Sequence, residues 1–150
     1  MPRELARIFI NTVSCNQNTG ETEDTMPRIL LVDDDPDILD IIRLELEDDR
    51  RNRVDICRSA RKVLDNIDVK AYDVIISDLH MPDIDGAELV RNLRLKNCKS
   101  LIIIYSGHDL GAGIRKALDS GADHYLARQG DPEKEFSQLR SIISTSFNEE

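Results

Sequence analysis

The segment RILLVDDDPDIL, residues 28–39, places a continuous apolar run directly before three consecutive aspartates. A continuous apolar run is typical of a β-strand that is covered on both faces, as in a parallel sheet. Asp35 followed by Pro36 indicates the start of a helix, because aspartate is a favoured N-cap and proline is favoured at the first helical position. The segment therefore predicts a strand, an acidic turn and a helix.

The alternation of strand and helix continues to the end of the chain. Helical apolar spacing follows each apolar run. The second and fifth runs are mixed, which favours edge strands, whereas the others are continuously apolar. Strict alternation predicts an α/β fold with a parallel five-stranded sheet and helices on both faces. The predicted strands are residues 28–32, 54–57, 72–77, 101–105 and 124–127.

The composition of the chain limits the classes of protein to which it can belong. The chain has 150 residues, 40% hydrophobic and 33% charged, an ordinary balance for one globular domain. No apolar run reaches the roughly 18 residues of a membrane span. A net charge of −9 argues against direct nucleic-acid binding. Three cysteines at unrelated spacings form neither a metal pattern nor a disulfide framework, which favours a reducing cytoplasm.

The ordered domain is predicted to span residues 28–147. Residues 1–27 are predicted to be a disordered or non-native extension, since residues 11–25 are polar and lack an apolar period. Met26 is a candidate translation start, which intact-mass measurement of protein from the native host would test. Residues 148–150 are a short tail. The chain ends about one helix after the last strand, and we expect a stand-alone domain.

Polar side chains follow four of the five predicted strands. Asp33 and Asp34 follow the first, Asp78 the third, Ser106 the fourth and Arg128 the fifth. Functional sites of parallel sheets lie beyond the carboxyl ends of the strands. The sequence therefore predicts that three carboxylates, a hydroxyl and a cation converge at one edge of the sheet.

Electrostatics indicates what such a cluster binds. Two carboxylates about 4 Å apart repel by roughly 4 kcal/mol at an effective dielectric constant of ~20, so they need protons or a cation. Mg²⁺ suits one or two carboxylates, waters and phosphate oxygens. With Asp35 assigned to capping, Asp33 and Asp34 are left for the ion. Asp78, at the end of the most apolar central run, is the candidate nucleophile for phosphoryl transfer.

The pieces ILLVDDDPDI, DVIISDLHMPDIDG, LIIIYSGHD and SGADHYLAR resemble, in order and spacing, the receiver domain of two-component response regulators. The resemblance implies a single flavodoxin-like (βα)5 domain with strand order 2-1-3-4-5, of CheY-like architecture. It also implies a cytoplasmic signalling domain rather than an enzyme, with only Mg²⁺-dependent self-phosphorylation and self-dephosphorylation. The implied partners are a histidine kinase or phosphotransfer protein and a downstream protein, which docks on the fourth helix, fifth strand and fifth helix.

The resemblance also implies roles for individual residues. Asp78 is the implied phosphoacceptor. Asp34 would bind Mg²⁺ directly and Asp33 through water, with Asp78 and the backbone carbonyl of His80 as further ligands. Two residues make up the implied switch: the hydroxyl of Ser106 follows the phosphoryl group, and the aromatic ring of Tyr125 turns inward with it.

One position departs from the family pattern. The family has lysine followed by proline after the fifth strand, whereas this chain has Arg128 followed by Gln129. Arginine is larger and planar, and it pairs with phosphate differently from lysine. Without proline a trans peptide is expected. Two interpretations stay open, in which Arg128 either pairs with the phosphoryl group or forms a surface salt bridge.

Three other functions compete with the leading one. A degenerate receiver would dock to partners without phosphorylation. A dehalogenase-like phosphatase would need an acid two residues after the nucleophile, where this chain has His80. A nucleotide-binding flavodoxin-like protein is disfavoured because no glycine-rich loop follows the first strand.

Overall fold

The computed structural model describes residues 26–48, 52–107 and 110–147 of the chain. The predicted extension, apart from Met26 and Pro27, lies outside the described residues, as does the tail. Within them, no helix is both long and apolar enough to cross a bilayer. The strands are β1 (Arg28–Val32), β2 (Arg53–Cys57), β3 (Val74–Ser77), β4 (Leu101–Ser106) and β5 (His124–Ala127). The helices are α1 (Pro36–Glu47), α2 (Ala60–Asn66), α3 (Gly86–Leu95), α4 (Leu110–Ser120) and α5 (Pro132–Phe147).

The strands form one parallel sheet in the order β2-β1-β3-β4-β5, which confirms the predicted fold class. The mixed strands β2 and β5 lie at the two edges, and the continuously buried strands lie between them. Val32 pairs with Ser77, so β1 and β3 end at the same level. Ser77 pairs with Ile104, so β4 continues two residues further before it ends at Ser106.

Alternate residues of each strand face two separate core layers. On one face, residues such as Leu30 and Ile75 pack with α2, α3 and α4. On the other, residues such as Leu31 and Ile76 pack with α1 and α5. Because both faces of the sheet are covered, only the loops at its two ends are available for polar chemistry.

The predicted third strand was too long at its start. Residues 72–77 were predicted, but β3 begins at Val74. A 3₁₀ turn over Val69–Ala71 precedes it, and the amide of Tyr72 donates to the carbonyl of Val69 at 3.1 Å. Tyr72 therefore closes a turn instead of joining the sheet.

Candidate functional site

Three carboxylates meet at the carboxyl edge of the sheet. Asp33, Asp34 and Asp78 each offer an oxygen, and these oxygens lie within 4.8 Å of one another. The level ends of β1 and β3 explain the meeting, since the amide of Asp78 donates to the carbonyl of Val32 at 3.0 Å. The acids that the sequence assigned to one site are therefore neighbours.

Asp35, the third aspartate of the run, is the N-cap of a helix. The side chain of Asp35 accepts a hydrogen bond from the amide of Asp37 at 2.9 Å and caps α1, with Pro36 at the start of the helix. Asp35 thus makes the predicted capping contact, and the assignment of Asp33 and Asp34 to a metal ion stays a prediction. The amide of Asp35 in turn donates to the carboxylate of Asp33 at 2.9 Å, which ties the two parts together.

Asp33 carries the electrostatic cost of the cluster. It is only 4% exposed. Burial is the largest cause that raises the pKa of Asp33 to about 6; the charges of Asp78 and Asp34 act in the same direction, against the hydrogen bond from Asp35 and the charge of Arg128. Ionising Asp33 is therefore unfavourable mainly because the group is buried, and the two neighbouring carboxylates add to that cost. A divalent cation with oxygen ligands would favour the ionised cluster.

Asp78 lies in a tightly folded loop. Its side chain is 12% exposed, and its Oδ1 accepts from the amide of Leu79 at 2.8 Å. The chain returns at Gly86, whose amide donates to the carbonyl of Leu79 at 2.7 Å. A Cβ atom on Gly86 would lie 2.2 Å from the backbone oxygen of Asp78. Only glycine permits this close approach.

Arg128 points into the cluster. Its Nη2 lies 3.4 Å from Asp33 Oδ2 and 3.7 Å from Asp78 Oδ1. The same nitrogen donates to the carbonyl of Tyr105 at 2.9 Å, and the guanidinium carbon lies 4.7 Å from the centre of the Tyr105 ring. The peptide after Arg128 is trans, as the absence of proline predicted. Within the part of the chain that the structure describes, Arg128 therefore forms its salt bridges with the acidic cluster and not with a surface acid, and its pairing with a phosphoryl group stays a prediction.

Two buried polar atoms at the carboxyl ends of β4 and β5 have no hydrogen-bond partner among the described residues. They are Ser106 Oγ and Arg128 Nε. Buried donors of this kind are rare because each costs free energy. They are therefore available to an acceptor that the folded chain does not itself provide. The backbone joins their strands, since the amide of Arg128 donates to the carbonyl of Ser106 at 2.9 Å.

The remaining predicted residues lie nearby. Tyr125, on β5, is half-buried, and its hydroxyl lies 3.5 Å from the carbonyl of Ser106. His80 is exposed, two residues after Asp78 in the same loop. The roles given to both residues, and the ligand role of the His80 carbonyl, stay predictions.

Sequence reasoning missed two residues behind the site. Tyr105 was read as the end of an apolar strand, and Glu135 lies in the first turns of α5. The Tyr105 hydroxyl donates to Glu135 at 2.7 Å, and both side chains are buried. The available signals were a tyrosine inside an apolar strand and a glutamate on the apolar side of a helix. Neither signal specifies a partner that lies 30 residues away.

Known proteins share this fold and these motifs. A family model described as "Response regulator receiver domain" matches residues 29–140. The response regulator ArlR of Staphylococcus haemolyticus is 33% identical over 118 residues, 79% of this chain and 53% of that protein. ArlR of Staphylococcus epidermidis is 35% identical over 121 residues, with the same coverage. The chain thus spans about half the length of the curated relatives that it matches.

Solved structures agree with the family match. The chemotaxis response regulator CheY4 of Vibrio cholerae has a TM-score of 0.69 at 25% identity, covering 78% of this chain and 98% of that one. The receiver domain of the Francisella response regulator 1452 has a TM-score of 0.67 at 27% identity, covering 80% and 98%. The family model matches more than half of the chain, from the second residue of β1 into α5, and the chain therefore belongs to the response regulator receiver domain family.

Proposed function

We propose that this chain is a phosphorylation-controlled receiver. It accepts a phosphoryl group on Asp78 from a histidine kinase or a phosphotransfer protein and signals by docking to another protein. The observation that carries the proposal is the combination of three close carboxylates with two buried donors, at the ends of the neighbouring strands β4 and β5, that have no partner among the described residues. The receiver spans residues 28–147 in this proposal, with residues 1–27 as an extension and 148–150 as a tail.

The side chains divide the transfer among them. A carboxylate oxygen of Asp78 forms a bond to phosphorus, and the bond between phosphorus and the donor atom breaks, with its electron pair leaving on the donor. The hydroxyl of Ser106 donates to one phosphoryl oxygen. The guanidinium of Arg128, already 3.7 Å from Asp78, pairs with another. In the dephosphorylation step water attacks the phosphorus, the bond between phosphorus and the Asp78 oxygen breaks, and inorganic phosphate and the free carboxylate are released.

The acidic cluster fits Mg²⁺. The donors are hard oxygens, and three carboxylates that lie within 4.8 Å of one another face the guanidinium of Arg128, so the cluster has an excess of negative charge. In the proposal Asp34 and Asp78 bind the ion directly, Asp33 binds through water, and the backbone carbonyl of His80 completes the protein ligands. Bound Mg²⁺ supplies neutralisation of the charge on the phosphoryl oxygens.

The partner surface is proposed on α4, β5 and α5. Ile114 and Leu118 on α4 are 38% and 45% exposed, so this face presents apolar area beside β5. Tyr125 connects it to the site, because the tyrosine hydroxyl lies 3.5 Å from the carbonyl of Ser106. A movement of Ser106 towards a phosphoryl group would change the position of that carbonyl and of the ring. In this scheme the receiver acts in the cytoplasm.

One observation favours the second candidate function, a degenerate receiver that docks without phosphorylation. Arg128 already pairs with Asp33 and Asp78, so an internal cation takes part of the space that a metal and a phosphoryl group would use. The acidic cluster still carries one cation against three carboxylates. We favour the phosphorylated form because this excess of negative charge remains.

Labelling with acetyl phosphate separates the two functions. With Mg²⁺ and acetyl phosphate, we expect a mass gain of about 80 Da, one phosphoryl group, that is absent in Asp78→Asn. Asp83→Asn is the matched control, because Asp83 is an exposed aspartate of the same loop. The control should label like the wild type. An unlabelled wild-type protein that also fails to bind Mg²⁺ would favour the docking module.

The division of the aspartate run is testable by metal titration. Asp34→Ala is expected to weaken Mg²⁺ binding by about tenfold or more, because it removes a ligand. Asp35→Ala should leave the Mg²⁺ affinity nearly unchanged and lower the free energy of unfolding by about 1 kcal/mol, because it removes the cap of α1. Isothermal titration and urea denaturation measure the two quantities. Equal losses of Mg²⁺ affinity would refute this division.

A further inference from the structure

A buried carboxylate lies behind the site, outside the acidic cluster. Glu135, in the first turns of α5, is 5% exposed. One of its oxygens accepts from the hydroxyl of Tyr105 at 2.7 Å. The other accepts from the backbone amides of Gln129 and Asp131 at 2.6 and 3.2 Å. All these hydrogen bonds go to the end of β4 or to the loop between β5 and α5.

These contacts support an ionised glutamate. Burial alone raises the pKa of Glu135, but the hydrogen bonds from Tyr105 and from the loop amides lower it below its ordinary value. Burial and the neighbouring carboxylate raise the pKa of Tyr105, so the phenol keeps its proton. A buried ionised carboxylate is stable only where donors surround it. The ionised carboxylate of Glu135 therefore keeps the Tyr105 hydroxyl and the loop amides in position, because their movement would leave a buried charge without hydrogen bonds.

The residues that donate hydrogen bonds to Glu135 also contact Arg128 or lie next to it in the chain. The Tyr105 residue that bonds Glu135 through its hydroxyl also contacts Arg128 through its carbonyl, at 2.9 Å, and through its ring, at 4.7 Å. The amide that follows Arg128, that of Gln129, donates directly to Glu135. The backbone and the side chain of Arg128 are therefore both connected to one carboxylate.

The loop needs such a connection. Arginine has a long side chain with many rotamers, and fixing it costs conformational entropy. Gly130, at a φ of 97°, adds a flexible left-handed position directly after Gln129. No proline restricts residues 128–131, and Pro132 already belongs to α5. The hydrogen bonds to Glu135 provide the restriction that the loop residues themselves lack.

We propose that Glu135 is a positioning residue for Arg128: through Tyr105 and the loop amides it keeps the guanidinium facing Asp33 and Asp78. Glu135 itself lies behind this contact and does not touch the phosphoryl group. The phosphorylation part of this inference rests on the proposed function, whereas the positioning part is a property of the folded protein. The two parts are therefore tested by different measurements.

The first measurement is the rate of labelling by acetyl phosphate. Glu135→Gln is expected to lower the maximal rate about tenfold, with a smaller change in the acetyl phosphate concentration that gives half-maximal rate, because misplacement of a charged group acts on the transition state. Glu133→Gln is the matched control, an exposed glutamate in the same helix turn. It should label at the wild-type rate.

A double-mutant cycle separates positioning from a general structural effect. In an Arg128→Ala background, Glu135→Gln should change the rate by less than about twofold, because the group that it positions is gone. Tyr105→Phe keeps the ring and removes only the hydroxyl, and its loss of rate should likewise disappear in that background. The proposal is overturned if these substitutions slow labelling equally in both backgrounds, or in neither.

The second measurement does not depend on phosphorylation. The buried Nε–H of Arg128 should give a solvent-protected signal in ¹⁵N-resolved NMR of the wild-type protein. Glu135→Gln and Tyr105→Phe should each broaden or remove that signal, and Glu133→Gln should preserve it. Persistence of the signal in Glu135→Gln would refute the positioning role even if Asp78 is labelled. Its loss, in a protein that acetyl phosphate never labels, would support positioning while the proposed function fails.

Discussion

Replacing Asp33 with asparagine is expected to raise the free energy of unfolding of the Mg²⁺-free protein by about 2 to 3 kcal/mol at neutral pH. Burial raises the pKa of Asp33 from 3.8 to about 6, so ionising this group in the folded chain is unfavourable. Asparagine has nearly the same shape and carries no charge. The substitution therefore removes the cost while it keeps an oxygen for the amide of Asp35.

The effect of Asp33→Asn on the free energy of unfolding should depend on pH, and the raised pKa of Asp33 fixes the direction of that dependence. A carboxyl group with a raised folded-state pKa contributes most to stability when it is protonated in both states. That contribution is lost as the pH rises from about 4 through the folded-state pKa of about 6. The difference in stability between Asp33→Asn and the wild type should therefore be near zero below pH 4, grow across this window and stay constant above it. Urea denaturation of both proteins at several pH values measures it.

The same substitution should reduce the stabilisation that Mg²⁺ provides, because Asp33 is a proposed water-mediated ligand. A ligand that binds only the folded state stabilises the wild type by an amount that grows with the logarithm of its concentration. At the same millimolar Mg²⁺ concentration, the Asp33→Asn variant should therefore gain less stability than the wild type. Asp40→Asn, an exposed aspartate on α1, is the control, with an expected change within about 0.5 kcal/mol. A Mg²⁺-free Asp33→Asn protein less stable than the wild type would contradict the account of the acidic cluster.

Gly86→Ala is expected to destabilise the protein by roughly 3 kcal/mol or more. The added Cβ would lie 2.2 Å from the oxygen of Asp78 and 3.0 Å from the Cα of Leu79, and both atoms belong to the backbone. Alanine favours a helix over glycine by about 1 kcal/mol, but the steric overlap opposes and exceeds that gain. Relief of the overlap requires movement of the peptide of Asp78, the proposed phosphoacceptor, so labelling of Asp78 should fall as well.

Gly111→Ala provides the control for this steric argument. Gly111 also lies in the first turn of a helix, α4, and a Cβ there meets nothing within 4 Å. The same substitution should leave stability unchanged or raise it by up to about 1 kcal/mol. The urea midpoint should therefore fall for Gly86→Ala, whereas for Gly111→Ala it should rise or stay unchanged. Similar midpoints for both would show that the close approach at Gly86 is relieved without cost.

Much of the fold was predictable from local patterns. The apolar runs of β1 and β5 were predicted with their observed bounds, because each is flanked by turn or capping residues. The start of β3 was wrong because the 3₁₀ turn before it depends on a backbone hydrogen bond between Tyr72 and Val69, which no apolar pattern encodes.

The site, like the fold, was predictable from the sequence only in part. The meeting of Asp33 with Asp78 was predictable, because parallel strands of a sheet end at a shared edge. The direction of Arg128 was not predictable, since it depends on contacts with Tyr105, 23 residues earlier in the chain. Long-range side-chain packing of this kind leaves no periodic signal in the sequence.

The positions of the tyrosine rings allow changes at the site to be followed by ultraviolet spectroscopy without an added label. It has three tyrosines and no tryptophan, so its ultraviolet absorption and emission above 275 nm come from phenol rings alone. Tyr105 lies under the Arg128 guanidinium and Tyr125 touches the Ser106 carbonyl, whereas Tyr72 lies at the opposite end of the sheet beside Asp55. Difference spectra recorded with and without acetyl phosphate would thus report on the carboxyl edge of the sheet without any label, because the distant Tyr72 ring should contribute little to the difference.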